Sequence, residues 1–151
     1  MTRASKIANR IERTVSGPMW HGPALTDLLD GVPPERAAAK PVPGAHSIWE
    51  IVRHITAWAE IVRRRVAGEV VDPTPAQDWP PPHGESHDAW TRDVERLAVI
   101  HRELAAAARE LQDAQLDAMV AGAEYPVSVM LNGVVEHGTY HGGQIALLKK
   151  M

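Results

Sequence analysis

Two histidines stand one helical turn apart in an otherwise apolar stretch near the end of the chain. The segment VVEHGTYHGGQIALL runs from Val134 to Leu148 and contains His137 and His141. Successive residues of an α-helix turn by about 100°, so a spacing of four leaves these side chains about 40° apart. Their ring nitrogens can then converge on one point, as in helical metal sites. The pair therefore predicts two nitrogen ligands for a divalent metal ion.

The same angular count places the two histidines on the buried face of their helix. Burying a neutral imidazole without a hydrogen-bond partner costs about 1–3 kcal/mol, so something is expected to satisfy the ring nitrogens. For an arbitrary helix such a pair more often belongs to the core or to a partner contact, and a third ligand is needed to make a tight site. The apolar residues that share this face within about 80° of His137 are Val127, Met130, Val134, Ile145 and Leu148.

The third ligand has two candidates. His54, in WEIVRHITAWAEIV, lies beside the apolar stripe of its predicted helix, whereas His101 occupies a core position of another helix. Helical periodicity alone does not choose between them.

Several other metal-site classes fail on specific residues. The chain has no cysteine, which excludes thiolate ligands and disulfides. HGTYH has the histidine spacing of a zincin, but Gly138 stands where the general-base glutamate must be. Di-iron bundles need Glu-x-x-His pairs, and Glu136 directly precedes His137. A mononuclear site with nitrogen ligands remains.

The composition is that of a globular protein, with 151 residues, 44% hydrophobic and 23% charged, and a net charge of -3. This size predicts a single domain over residues 1–151. Acidic and basic residues are interspersed, so neither a nucleic-acid surface nor a polybasic membrane patch is expected, and Arg63–Arg65 is interpreted as a solvated helix end. Without a signal-like or membrane-spanning segment, a cytoplasmic location is the default expectation.

Four long helices are predicted. The first ends at Gly17-Pro18, the second begins at the capping box Ser47-Ile48-Trp49-Glu50 and runs to Ala67, the third begins at Ser86, and the last runs from about Val127 to Lys150. Residues 70–85 carry five of the twelve prolines and are predicted to form a long loop. No stretch alternates as a strand does. The pattern predicts an all-α four-helix bundle.

Four segments carry a resemblance to a known family. HSIWEIVRHITAWAEIVRRRVAGE, DWPPP, LNGVVEHGTYHGGQIALLKK and the early MWHGPALTDLLDG together resemble the DinB/YfiT-like superfamily, over nearly the whole chain. The resemblance implies a four-helix bundle with up-down-down-up connectivity, in which the long 70–85 loop is the crossover. It also implies a divalent metal held by one histidine of the second main helix and two of the fourth. By position these are His54, His137 and His141.

The surroundings of the site are predicted less directly. The resemblance suggests Trp20, His21 and Trp58 as pocket residues, and His101 is expected in the core or the pocket. Glu50, one turn before His54, is a candidate outer-shell acceptor for an imidazole, although its capping role already explains it. No residue is assigned as the general base.

Three neutral histidines leave at least one coordination position open, which is typical of catalytic sites. Zinc or nickel suits such ligands best, and iron or manganese is allowed. The resemblance implies a hydrolase, or a transferase or isomerase that uses a low-molecular-weight thiol, acting on a small molecule as a homodimer. The alternative is a non-catalytic bundle that binds a metal or a small ligand. The glycines at 138, 142 and 143 are expected to permit the close approach of either a neighbouring helix or a ligand near the metal site.

Overall fold

The computed structural model describes residues 1–151 and contains eight helices and no strands. This confirms the predicted all-α class. None of the helices combines the length and apolar character needed to cross a membrane. The helices are α1 (Arg3–Ser16), α2 (Leu25–Leu29), α3 (Pro34–Ala38), α4 (Ile48–Val66), α5 (Pro75–Asp78), α6 (His87–Arg109), α7 (Asp113–Asp117) and α8 (Val127–Leu148).

Local capping sequences set the starts of the long helices. The Ser47 hydroxyl accepts a hydrogen bond from the Glu50 amide at 3.1 Å, and the Glu50 carboxylate accepts one from the Ser47 amide at 2.9 Å. The Ser86 hydroxyl caps α6 in the same position. The bonds at both helix starts satisfy backbone donors that the first turn leaves without partners. The predicted starts of α4 and α6 are therefore confirmed.

The predicted loop between α4 and α6 contains a short helix. Thr74 caps α5 through the Gln77 amide, and the Gln77 side chain accepts a hydrogen bond from the Thr74 amide at 2.9 Å. Pro75 occupies the first helical turn, where a missing amide hydrogen costs nothing. The expectation of a loop without regular structure was wrong here, because the surrounding prolines obscured a T-x-x-Q capping box.

The four long helices pack in a ring, in which α1 and α4 each contact both α6 and α8. Two apolar clusters fill the space between them, one made mainly by α1, α6 and α8 and the other by α4 with parts of every neighbour. The contact between α4 and α8 is the one that brings the candidate histidines together. Fully buried members of the clusters include Ile11, Leu104 and Leu131 in the first and Trp49, Ile55 and Ile145 in the second.

Polar pairs join α4 to α6 near the start of both helices. The Trp49 indole donates to Asp93 Oδ2 at 2.6 Å, and Arg53 Nη1 lies 2.9 Å from Asp93 Oδ1. Trp49 is fully buried and also packs against Trp90, as expected of a helix-packing residue. Asp93 therefore anchors two side chains of α4.

Two glycines of α8 permit the close approach of other helices. A Cβ on Gly138 would lie 2.5 Å from Thr14 Cγ2 of α1, and one on Gly142 would lie 3.4 Å from Leu28 of α2. A Cβ on Gly143 would meet nothing within 4 Å. The expected close approach of a neighbouring helix is present at the first two positions, where the neighbours are α1 and α2, and it is absent at Gly143.

Candidate metal centre

Three histidines from two helices meet beside the contact between α4 and α8. One ring nitrogen from each of His54, His137 and His141 lies within 4.8 Å of the other two. His54 and His141 are buried and His137 is half-buried. The Nε2 atoms of His54 and His137 are 2.9 Å apart. Two lone pairs cannot face each other at that distance unless a proton or a cation lies between them.

Hydrogen bonds from their other ring nitrogens orient two of these imidazoles. His54 Nδ1 is 2.7 Å from the backbone carbonyl oxygen of Asp78, and His141 Nδ1 is 2.6 Å from Gln144 Oε1. Both partners are acceptors, so each Nδ1 donates and each Nε2 keeps its lone pair. Metal-binding histidines are held in the same way in known sites. This donor set fits a divalent cation.

Burial keeps the three imidazoles neutral. It is the main cause that lowers the pKa of His54, of His141, and of His137, which falls to about 3. For His137 the neighbouring His141 and His54 lower the pKa further, since a second positive charge there would be repelled. All three residues can therefore present neutral nitrogens at pH 7.

The segment after α4 covers one side of the site. The indole of Trp79 stacks on the His54 ring with centroids 3.7 Å apart, and its opposite face stacks on His46 at 3.6 Å. Asp78 Oδ1 accepts a hydrogen bond from the Trp58 indole at 2.7 Å and lies 3.3 Å from His54 Nδ1. The 70–85 segment is thus tied to the histidines by both stacking and hydrogen bonds. Sequence reasoning missed Asp78, which comes at the end of the unpredicted helix α5.

A cavity of about 540 Å³ opens next to the three histidines. This volume lies in the range of small-molecule sites. Trp58 and His101, both suggested as pocket residues, line it. Its walls are mainly apolar, and they include Ile55, Ala59, Val62, Met130 and Val134.

His101 lies in the cavity wall, outside the three-histidine group. Its side chain is buried, and Nδ1 donates to the backbone oxygen of Leu97 at 2.8 Å. Nε2 therefore carries a lone pair, and no group of the protein bonds to it. Burial lowers the pKa of His101 to about 4. Between the two candidates for third ligand, the geometry brings His54 to the pair and leaves His101 as a buried acceptor.

The structure does not bring Trp20 or His21 to the cavity. A hydrogen bond from the Gly22 amide to the Met19 carbonyl closes a tight turn, and Trp20 at its tip is fully exposed. His21 is also exposed and borders a separate small cleft beside Gly138. The expectation that these two residues line the pocket requires this correction.

Glu50 also lies apart from the ligands' hydrogen bonds. Its carboxylate accepts from the Ser47 amide, pairs with Lys40 at 2.8 Å and lies 3.2 Å from His46 Nδ1. The acceptor that it was expected to offer to His54 is instead the carbonyl of Asp78. The helix cap and the contacts with Lys40 and His46 account for Glu50.

Arg65 is a cavity residue that sequence reasoning missed. Arg63 and Arg64 pair with Glu60 and Glu69 near the surface, as expected of a solvated helix end. Arg65 is half-buried and lines the cavity. The signal was present in the spacing, because eleven residues after His54 make three helical turns and return to within about 20° of the same face.

A known family matches most of the chain. A family model described as the DinB superfamily matches residues 20–145. The chain belongs to the DinB superfamily. The range that matches the DinB superfamily contains all three histidines and the cavity residues Asp78, Arg65 and Tyr125. No curated protein and no solved structure matches this DinB superfamily member.

Proposed function

We propose that the protein is a metal-dependent enzyme that binds one divalent ion through His54, His137 and His141. The single observation that carries the proposal is the convergence of three neutral, half-buried or buried imidazoles at the wall of a largely apolar cavity. Three nitrogen ligands leave a coordination position for a substrate, as in catalytic rather than structural sites. The substrate is a small molecule that enters the cavity.

Zinc or nickel is the ion that an all-imidazole site favours, and iron or manganese is also compatible with it. When bound, the ion supplies a Lewis acid that polarises a substrate oxygen or stabilises a thiolate. The chemical classes that fit are hydrolysis and group transfer or isomerisation with a low-molecular-weight thiol. Since the chain has no cysteine, such a thiol is a second substrate.

The protein groups around the histidines have separate roles at the site. The carbonyl of Asp78 and the amide oxygen of Gln144 hold the His54 and His141 rings in orientation. The indole of Trp79 shields one face of His54 from water. His101 lies in the cavity wall, where its buried Nε2 has no hydrogen-bond partner in the protein.

The architecture proposed for this site is one domain over residues 1–151 with up-down-down-up connectivity. Pairs at matching ends support parallel α4 and α6, because Arg53 contacts Asp93 and Arg63 contacts Glu103. Opposite ends pair between α1 and the α6–α7 region, where Arg3 contacts Asp117 and Glu12 contacts Arg109. The α4–α8 pairs are also opposite in order, since Arg65 bonds to Tyr125 and His54 to His137.

A homodimer is the proposed assembly. Val129, Tyr140 and Leu147 are more than half exposed on α8, at spacings of about three and two helical turns that keep them on one face. Burial of such a face against a second copy would remove apolar surface from water. Sedimentation of the protein at the monomer mass at high concentration would contradict this assembly.

The test of the proposed function is the metal content of protein purified without an affinity tag. We expect about one divalent ion per chain, and a large loss of that ion in His137→Ala, because two histidines do not make a tight site. The exposed His83→Ala is the matched control and should keep the ion. Stoichiometric metal that survives His137→Ala would overturn the assignment.

Cobalt substitution separates an enzyme from a non-catalytic binding protein. An open position predicts that an added ligand changes the visible spectrum of the cobalt ion. A spectrum that no ligand alters would indicate a saturated site and favour the non-catalytic alternative. A change on addition of a thiol, together with thiol-dependent turnover, would favour transfer or isomerisation over hydrolysis.

A further inference from the structure

Arg65 is the one lysine or arginine that lines the cavity beside the histidines. Neutral groups hold its guanidinium: Nε and Nη2 donate to the Val71 carbonyl at 3.2 and 2.7 Å, and Nη1 donates to the Tyr125 hydroxyl at 2.9 Å. Its central carbon lies 5.8 Å from the Trp58 ring centroid. The guanidinium is therefore fixed against one wall of the cavity.

Its charge has no carboxylate partner, unlike those of its neighbours. Arg63 and Arg64 lie 2.8 Å from the carboxylates of Glu60 and Glu69, whereas no ion pair includes Arg65. The one carboxylate that lines the cavity, Asp78, is bound by the Trp58 indole and lies beside His54. A half-buried charge at an apolar wall with only neutral acceptors favours an anion from outside.

Donor hydrogens remain for such an anion. A guanidinium has five N–H donors, and the bonds to Val71 and Tyr125 use three of them. The Tyr125 hydroxyl accepts from Arg65, so its own hydrogen is free to donate. Two guanidinium N–H groups and one hydroxyl match the single charge and planar shape of a carboxylate. A phosphate dianion would call for more positive charge than one arginine provides.

The distance to the histidines limits the length of the ligand. The Trp58 ring centroid is 6.3 Å from that of His137 and 5.8 Å from the Arg65 guanidinium carbon. Adding the two distances shows that the guanidinium lies no more than about 12 Å from the His137 ring. Ile55, Ala59 and Val62 line the cavity along this helix. A ligand that spans it is apolar in the middle.

We propose that Arg65 and Tyr125 form a carboxylate-binding subsite, which selects substrates with a carboxylate at one end and the reacting group at the other. The inference rests on the proposed function, because the three histidines define where the reacting group lies. It names the substrate class as a small carboxylic acid with an apolar body. Arg65 is its specificity-determining residue.

The experiment uses cobalt-substituted protein and two thiols of equal length, ω-mercaptohexanoic acid and its neutral amide. Binding of each thiolate to cobalt changes the visible spectrum, so a titration measures the affinity of the protein for the acid and for the amide. We expect the wild-type protein to bind the acid roughly tenfold more tightly than the amide, since a charge-assisted hydrogen bond is lost in the amide. Arg65→Gln should remove this preference, and Arg65→Lys should keep part of it.

Arg64→Gln is the matched control, because Arg64 adjoins Arg65 in sequence but pairs with Glu69 away from the cavity. It should retain the full preference. Tyr125→Phe should reduce the preference while leaving the amide affinity unchanged. If Arg65→Gln does not fold, the wild-type comparison of acid with amide and the Arg65→Lys variant still decide the question.

The outcomes separate the two proposals. Failure of the protein to bind cobalt would overturn the proposed function and with it this inference. Failure of both thiols to perturb bound cobalt would overturn this inference and leave hydrolysis as the proposed reaction. Equal wild-type affinity for acid and amide would overturn the carboxylate subsite alone and leave the metal centre standing. A preference that persists in Arg65→Gln or disappears in Arg64→Gln would have the same effect.

Discussion

The backbone carbonyl of Asp78 lies 2.7 Å from Nδ1 of His54, so the segment after α4 orients a residue in the middle of that helix. Trp79, the next residue, stacks on the same ring. The three-histidine site therefore depends on a segment that contributes none of its three histidines.

Replacing Trp79 by alanine should weaken metal binding. The substitution removes the stacking that holds His54 between Trp79 and the orienting carbonyl, and loss of such outer-shell support typically lowers affinity about 10- to 100-fold. Competition with a chelator of known affinity measures the change. Trp20→Ala is the control, since Trp20 is fully exposed. Equal metal affinity in both variants would show that the stack does not support the site.

Acidification should destabilise the metal-free protein partly through His101. Burial lowers its pKa from 6.5 to about 4, so below pH 6.5 the unfolded chain takes up a proton that the folded protein does not. The unfolded state then binds more protons, and the free energy of unfolding falls as the pH drops from 6.5 towards 4.

Denaturant unfolding over this pH range tests the contribution of His101. His101→Leu should lose less stability on acidification than the wild-type protein, by about 1 kcal/mol per pH unit. The exposed His83→Ala should follow the wild-type slope. Parallel slopes for the wild-type protein and His101→Leu would contradict a neutral buried imidazole at this position.

Gly138 and Gly143 should respond in opposite ways to alanine. At Gly138 the added Cβ would lie 2.5 Å from Thr14 Cγ2, and such overpacking costs about 1–3 kcal/mol. At Gly143 it would meet nothing within 4 Å, so alanine should stabilise the helix by about 0.5–1 kcal/mol. Urea unfolding measures both. Adding Thr14→Ser to Gly138→Ala removes Cγ2 and should recover part of the lost free energy of unfolding. If nothing is recovered, the contact with Thr14 is not the cause of the loss.

Asp93→Ala should destabilise the fold without altering the three-histidine site. It leaves the buried Trp49 indole without its acceptor and the half-buried Arg53 guanidinium without its carboxylate partner, for an expected cost of about 2–3 kcal/mol. The exposed Glu95→Ala, half a turn further along α6, should change stability by less than about 0.5 kcal/mol. Thermal unfolding of metal-free samples is the measurement, and equal effects would argue against Asp93 as an anchor.

The long helices and the three histidines could be predicted because their signals are local. A capping box marks Ser47, which caps α4 in the structure. The spacing of His137 and His141 expresses one turn of a single helix. Choosing His54 over His101 required the family resemblance, because both occupy inward positions of their helices.

The residues that were missed depend on contacts between distant segments. Asp78 offers a backbone carbonyl, a group that every residue carries and no motif marks. Arg65 stands in a run of three arginines, and only the folded arrangement shows that Tyr125 and Val71, rather than a carboxylate, receive its hydrogen bonds. Trp20 was misplaced because the turn that exposes it depends on a backbone hydrogen bond from Gly22 to Met19.

His54 and Arg65 are carried by one uninterrupted helix, and this has a consequence for the choice of substrate. Eleven residues rise by about 16 Å along a helix, a length that loop motions or helix sliding do not change. If residues of α4 bind both ends of a substrate, the fixed separation of His54 and Arg65 sets the substrate length that fits. The site would then discriminate substrates by their length as sharply as by their charge. A homologous protein with the arginine one turn further along α4 would select a substrate of different length.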